Sequence, residues 1–285
     1  RSSHGTTALF WAALKGKATV VRLLTGRDAE VNARNSNGHT PLFWAALNGD
    51  PEVVELLLSR GARSSARDAK YGTTPIFWTA YNGHDEATQA LLNAGSNVNA
   101  VDKAGNTPLI WAARRGRTGA MRLLLTRGAH VDTRNRAGCN ALLWVARTGD
   151  VESGRLLLDR GASLNVPDGR GLTALMRAAR EGREEFVKLL LSRGADVNAS
   201  DPRLGATALA WAAYRGHAEI AGILLENGAE IDSRDRRYRN TPLIWAGFKG
   251  ESQTALVLLK AGANVNAGNR HGNTPLIAAC AAENR

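Results

Sequence analysis

The stretch TPLIWAARRG, from Thr107 to Gly116, decides the reading of this chain, because near copies of it recur along its length. TPLFWAALNG begins at Thr40, TPIFWTAYNG at Thr74, TALAWAAYRG at Thr207 and TPLIWAGFKG at Thr241. Anchored on the Thr or Asn that opens each phrase, the copies start at Thr7, Thr40, Thr74, Thr107, Asn140, Thr173, Thr207, Thr241 and Thr274, at steps of 33 or 34 residues. A fixed period of this size predicts stacked supersecondary units that bury their apolar faces against one another.

Each copy reads as the same pair of helices. The opening Thr or Asn is an N-cap, and a proline next to it (Pro41, Pro75, Pro108, Pro242, Pro275) suits the first helical turn. Leu109, Ala112 and Ala113 then share one face and are small enough for a neighbouring helix to approach closely, until Gly116 ends the helix. A second helix follows, clearest in PEVVELLLSRGA from Pro51 to Ala62, with Val53, Val54, Leu57 and Leu58 expected on its inner face. The remainder, such as DVNASDPRLGA from Asp196 to Ala206, carries β-prone and turn residues and predicts a hairpin finger.

With its T-P-L-x-x-A-A phrase, later G-A, V-N or V-D turn and 33-residue period, the chain resembles the ankyrin repeat from Thr7 to Asn273 as eight units, followed by a truncated ninth. The resemblance implies an all-α repeat solenoid, an ankyrin-type stack of helix–turn–helix units with β-hairpin fingers, running as a single domain over residues 1–285. It also implies a binding scaffold whose partner lies in a concave groove lined by the first helices and finger tips. One departure concerns the residue before each Trp. The family pattern places His there, whereas this chain has Phe10, Phe43, Phe77, Ile110, Leu143, Met176, Ala210, Ile244 and Ile277. Apolar packing is expected to replace the hydrogen bonds of that His.

All seven tryptophans occupy one slot: Trp11, Trp44, Trp78, Trp111, Trp144, Trp211 and Trp245. Exposed rings of about 200 Å² each would form a patch far larger than soluble surfaces usually carry, so a buried stacking seam is expected. In the sixth repeat Arg177 takes this slot, and the sequence leaves two readings open: the centre of an anion-binding locus, or a weakened seam at which the stack bends.

Three residues beyond the Trp slot the chain reads Leu14, Leu47, Tyr81, Arg114, Arg147, Arg180, Tyr214 and Phe248, and beside that slot stand Arg115, Arg215 and Lys249. Charges about 10 Å apart in water repel by only ~0.4 kcal/mol, so folding tolerates a row of arginines. Such a row still favours a carboxylate or phosphate, for which the guanidinium fork is matched. The finger SRDRRYRN, from Ser233 to Asn240, adds Arg236, Arg237 and Tyr238. Tyr81, Arg114, Arg115, Arg147, Arg177, Arg180, Tyr214, Arg215, Phe248, Arg236, Arg237 and Tyr238 are therefore the candidate partner-binding residues.

The chain carries 37 basic against 26 acidic residues, a net +11, and its positive excess gathers at the helix ends and fingers. This charge favours an acidic protein or peptide partner, with nucleic acid as the alternative through the fingers. Six scattered histidines and two cysteines, Cys139 and Cys280, give no metal-ligand spacing, and no nucleophile–base set or nucleotide fingerprint assembles. The expectation is a non-enzymatic scaffold without cofactor or small-molecule substrate, without a membrane-inserted segment, and cytoplasmic. His84 and His217 follow helix-ending glycines and are expected to be structural. The chain opens on Arg1 and stops inside a phrase, which suggests a piece of a longer protein, and a targeting segment of an enzyme is a third reading.

Overall fold

The computed structural model describes residues 5–283. It divides into two compact units, the first ending at Ala141 and the second beginning at Leu142, and each is an all-α stack of repeats. In the first unit the helix pairs are Ala8–Leu14 with Ala18–Thr25, Pro41–Asn48 with Pro51–Ser59, Pro75–Asn82 with Asp85–Asn93, and Pro108–Arg114 with Thr118–Thr126. The second holds helix Ala141–Thr148 from its second residue on, with Val151–Asp159, and then Ala174–Arg180 with Glu184–Ser192, Ala208–Arg215 with Ala218–Glu226, and Pro242–Lys249 with Ser252–Lys260. Helix Pro275–Glu283 follows them. Within each unit first helices pack on first helices of the next repeat, as Ala174–Arg180 does on Ala208–Arg215, and second helices pack on second helices.

The apolar periodicity explains this packing. Leu109, Ala112 and Ala113 are buried, as are Val53, Val54 and Leu57. Each Val or Leu so buried stabilises by about 1.5–3 kcal/mol. Leu56 rather than Leu58 completes the inner face of its helix, and Leu58 is half-buried at the edge of the stripe. The residues before the Trp slot are buried from Phe10 to Ile244, so apolar packing does occupy the place of the family's His. Ile277 alone in that series is exposed. Thr107, Thr173, Thr207 and Thr241 accept from the backbone N–H three residues on, at 3.3 Å each, whereas Thr7, Thr40 and Thr74 hold the N-cap backbone conformation without that bond.

The fingers close through hydrogen-bonded turns and form no extended strand ladder among the described residues. The one isolated bridge among the described residues pairs Ser200 with Thr207. An Asp or Asn closes each finger: Asp201 takes the amides of Arg203, Leu204 and Ala206, and its own N–H donates to the Ala206 carbonyl at 3.0 Å. A side chain that collects several amides at once stabilises a tight turn without any strand ladder. Successive fingers are joined by backbone bonds such as Lys103 N–H to Tyr71 O and Arg236 N–H to Leu204 O, at 2.8 and 2.6 Å. Several finger cations tie the same carbonyl rows: Arg67 donates to Val101 O, Arg234 to Gly268 O and Arg236 to Pro202 O.

The repeated Asn of the V-N turn also reaches the next repeat. Asn198 donates to Gly228 O at 3.0 Å and accepts from Glu230 N at 2.8 Å, and Asn99 does the same with Gly128 and His130.

His84 and His217 hold the end of the preceding first helix. Their Nε2 atoms lie 3.3 Å from Leu47 O and Arg180 O, among the carbonyls left over at a helix C-terminus. Gly49 at that end has φ +89°, and a Cβ there would stand 2.3 Å from the His84 ring, so the position needs glycine on two counts. Arg117 and Arg183 fill the same slot elsewhere, donating to Tyr81 O and Arg147 O. Arginine therefore satisfies the slot as histidine does. His217→Arg should leave the urea midpoint nearly unchanged, whereas His217→Ala should lower stability by about 1 kcal/mol.

Candidate functional site

The Trp slot stands where the first turn of each first helix meets its finger. The tryptophans are not the buried seam expected from their area: Trp11 is 53% exposed and the other six are half-buried. They do stack between repeats. In the first unit Trp78 meets Trp111 edge-on at 5.4 Å, and Tyr81 meets Trp111 at the same distance. In the second, Tyr214 bridges Trp211 at 6.0 Å and Trp245 at 5.4 Å, and Phe248 lies 6.4 Å from Trp245.

In two repeats a finger carboxylate meets the indole of this slot, directly or through a hydroxyl, whereas the buried Trp44 and Trp211 Nε1 atoms make no hydrogen bond. Trp111 Nε1 donates to Asp102 at 3.0 Å, and Trp78 Nε1 donates to the Thr73 hydroxyl at 3.1 Å, which bonds Asp68. Arg177 makes the equivalent contact with Asp168. Their side chains are 12% and 2% exposed. The two readings left open for Arg177, an anion locus or a weak seam, thus give way to an internal ion pair in the place of the indole–carboxylate bond. Burial alone would push the Asp168 carboxyl up. Hydrogen bonds from Arg177 and from the Leu172 and Arg170 amides, together with the Arg177 charge, outweigh burial and hold it below the ordinary carboxylate value. Asp68 is lowered in the same way, with burial opposed by Thr73 and by finger amides.

Four of the candidate arginines, and Lys249, lie over aromatic rings. Arg115 sits 5.0 Å above Tyr81, Arg147 5.0 Å above Trp144, Arg180 5.5 Å above Trp211, Arg237 5.0 Å above Tyr238 and Lys249 5.0 Å above Tyr214. Such contacts contribute about 0.5–1 kcal/mol at exposed sites and fix where the charge points. Among the described residues only Arg180 of these five also has a carboxylate partner, Glu181 at 2.9 Å. Arg114 and Arg215 are exposed at the ends of their helices. Two adjoining cavities open in the second unit. One, of about 250 Å³, is walled by Trp211, Tyr214, Tyr238 and Trp245, and the other, of about 190 Å³, by Arg170, Arg180, Arg203 and Trp211.

A family model of ankyrin repeats matches residues 1–68, 61–135, 128–201 and 200–269. The chain belongs to the ankyrin-repeat family. No curated protein matches it. Ankyrin repeats are generally protein–protein interaction modules and are typically non-catalytic. No described helix is long and apolar enough to cross a membrane, and no described group of three or more His, Cys, Asp or Glu could hold a metal ion.

Within each ankyrin unit the candidate residues sort by what they touch. Tyr81 and Arg115 are together in the first. In the second, Arg180 and Tyr214 share Trp211, and Phe248 packs on Trp245. Arg236 is drawn to the neighbouring finger, while Arg237 and Tyr238 form a pair of their own. The candidate set omitted Arg170 and Arg203. A signal for them was present: three successive fingers read Asp168-Gly169-Arg170, Asp201-Pro202-Arg203 and Asp235-Arg236-Arg237. In this pattern the Asp is buried to hold the turn and the Arg two residues on is exposed at the tip.

Proposed function

We propose that this ankyrin domain is a non-enzymatic, cytoplasmic scaffold that binds an acidic peptide or protein surface through its first-helix ends and fingers. The observation that carries the reading is the set of cations laid over aromatic rings there, four of the five without a carboxylate partner among the described residues. A planar guanidinium held on a ring keeps its donors directed outward at little entropic cost, which suits a partner's carboxylates. Polyanion binding by the fingers is the weaker reading, because Arg67, Arg234 and Arg236 already donate to neighbouring finger carbonyls.

The test compares the native chain with an Arg114→Glu/Arg147→Glu/Arg180→Glu variant, both confirmed folded by circular dichroism, in capture from source lysate. A defined acidic protein held by the first and lost by the second is the expected result. Equal capture by both would sink the reading. Nucleic acid held equally by both, with affinity falling steeply as salt rises, would move the function to the fingers.

A further inference from the structure

The two adjoining cavities of the second unit differ in chemistry, and the difference specifies a ligand. The 250 Å³ cavity lies between Trp211 and Trp245, with Tyr214 and Tyr238 completing its aromatic wall. An apolar cavity of ~150 Å³ holds a benzene ring, so this one has room for an aromatic side chain. Its neighbour shares Trp211 and Leu204 with it and is walled by Arg170 and Arg203 from consecutive fingers. Both arginines are exposed and have no ion-pair or side-chain hydrogen-bond partner among the described residues.

The charges around the aromatic cavity argue against a cationic guest. Asp235 lines the aromatic cavity and Asp201 the arginine-walled one, but both carboxylates are buried and taken up by finger amides. Arg237 and Lys249 already stand over Tyr238 and Tyr214. A negative charge in the second cavity meets one carboxylate, Asp201, already bonded to three finger amides, against Arg170, Arg180 and Arg203. Successive repeats lie about 10 Å apart and an extended chain advances ~3.3 Å per residue, which separates the two cavities by about three residues of a bound strand.

We propose that the second unit binds an extended acidic protein segment anchored by one aromatic side chain. The aromatic ring enters the cavity between Trp211 and Trp245, and a carboxylate about three residues away lies between Arg170 and Arg203. This rests on the acidic-partner reading above and makes it specific. An aromatic anchor in a desolvated pocket, with charge at its rim, is the arrangement in which a few residues carry most of the affinity.

The test uses the full chain and fluorescence anisotropy of the labelled peptide Glu-Glu-Ser-Ser-Phe-Ser-Ser-Glu-Glu, with controls replacing Phe by Ala or every Glu by Lys. The expected result is binding of the first peptide, about ten-fold weaker binding of the Ala control, and none of the Lys control. Arg170→Glu/Arg203→Glu should abolish binding with an unchanged circular dichroism spectrum. Leu204→Trp, which fills the wall shared by the two cavities, should reduce the Phe peptide to the level of the Ala control. Equal binding of the Phe and Ala peptides, or full binding by the double Arg variant, overturns this inference and leaves the acidic-partner reading standing. Binding of neither acidic peptide overturns both, as does equal binding of the Lys control.

Discussion

Arg177→Ala is expected to destabilise the second unit by about 3 kcal/mol at neutral pH, whereas Arg177→Trp should change it by less than about 1 kcal/mol. Alanine leaves the Asp168 carboxylate buried without its cation, with only the Leu172 and Arg170 amides at 2.9 and 2.8 Å to support it. Tryptophan restores a donor of the kind Trp111 offers Asp102. The pH dependence follows from the direction of the Asp168 shift. A carboxyl held below its ordinary value contributes stability that is present above the unfolded pKa, near 3.9, and is lost as the pH falls through the folded one. The gap between native and Arg177→Ala proteins should therefore be full at pH 7 and close below about pH 4. Urea unfolding across that range measures it. Hydrogen exchange of the Arg170 and Leu172 amides gives a local readout that survives if the stack unfolds in more than one step. A Trp variant as unstable as the Ala variant would show that the slot requires the charge itself.

Phe186→Ala should lose about 3–5 kcal/mol, because the ring is fully buried and its loss leaves a large void. The position has a compensating partner. A Cβ on Gly154, in the second helix of the preceding repeat, would lie 2.3 Å from Phe186 Cε2, so the ring occupies the space a side chain would fill at 154. Gly154→Val alone should then cost about 1–3 kcal/mol through overpacking. The double variant Gly154→Val/Phe186→Val restores a pair of medium size, as Val21 and Val53 provide at the same two slots, and should recover most of either loss. A double-mutant cycle from urea midpoints gives the coupling, and additivity of the two single losses would refute a shared space.

Such pairs show where sequence reading stops. Slot by slot, Gly154 is only a weak helix residue and Phe186 a large apolar one; their fit exists across two repeats whose contact no local pattern states. The same holds for Arg177. Its departure from the Trp slot was visible, but its partner nine residues back was visible only as one finger Asp among several. The arginines of the first-helix ends were legible as a series, though not their placement over particular rings. Arg170 and Arg203 were legible as charge and missed as a site, because their significance comes from the cavity that Trp211 and Leu204 form beneath them.

The sequence by itself determined the family, the repeat starts, the helix pairs and the buried apolar residue before each Trp. These are set by a 33-residue period and by local rules of capping and amphipathic spacing, each acting within a turn or two of chain. Tertiary structure alone decided how far the tryptophans are covered, that the fingers close as turns held by an Asp or Asn, and which cations are tied down or left without a carboxylate. Those outcomes depend on what the neighbouring repeat places against each side chain. Coverage of a ring, relief of a buried charge and the shape of a cavity are properties of the contact between repeats, which the pattern within one repeat does not contain.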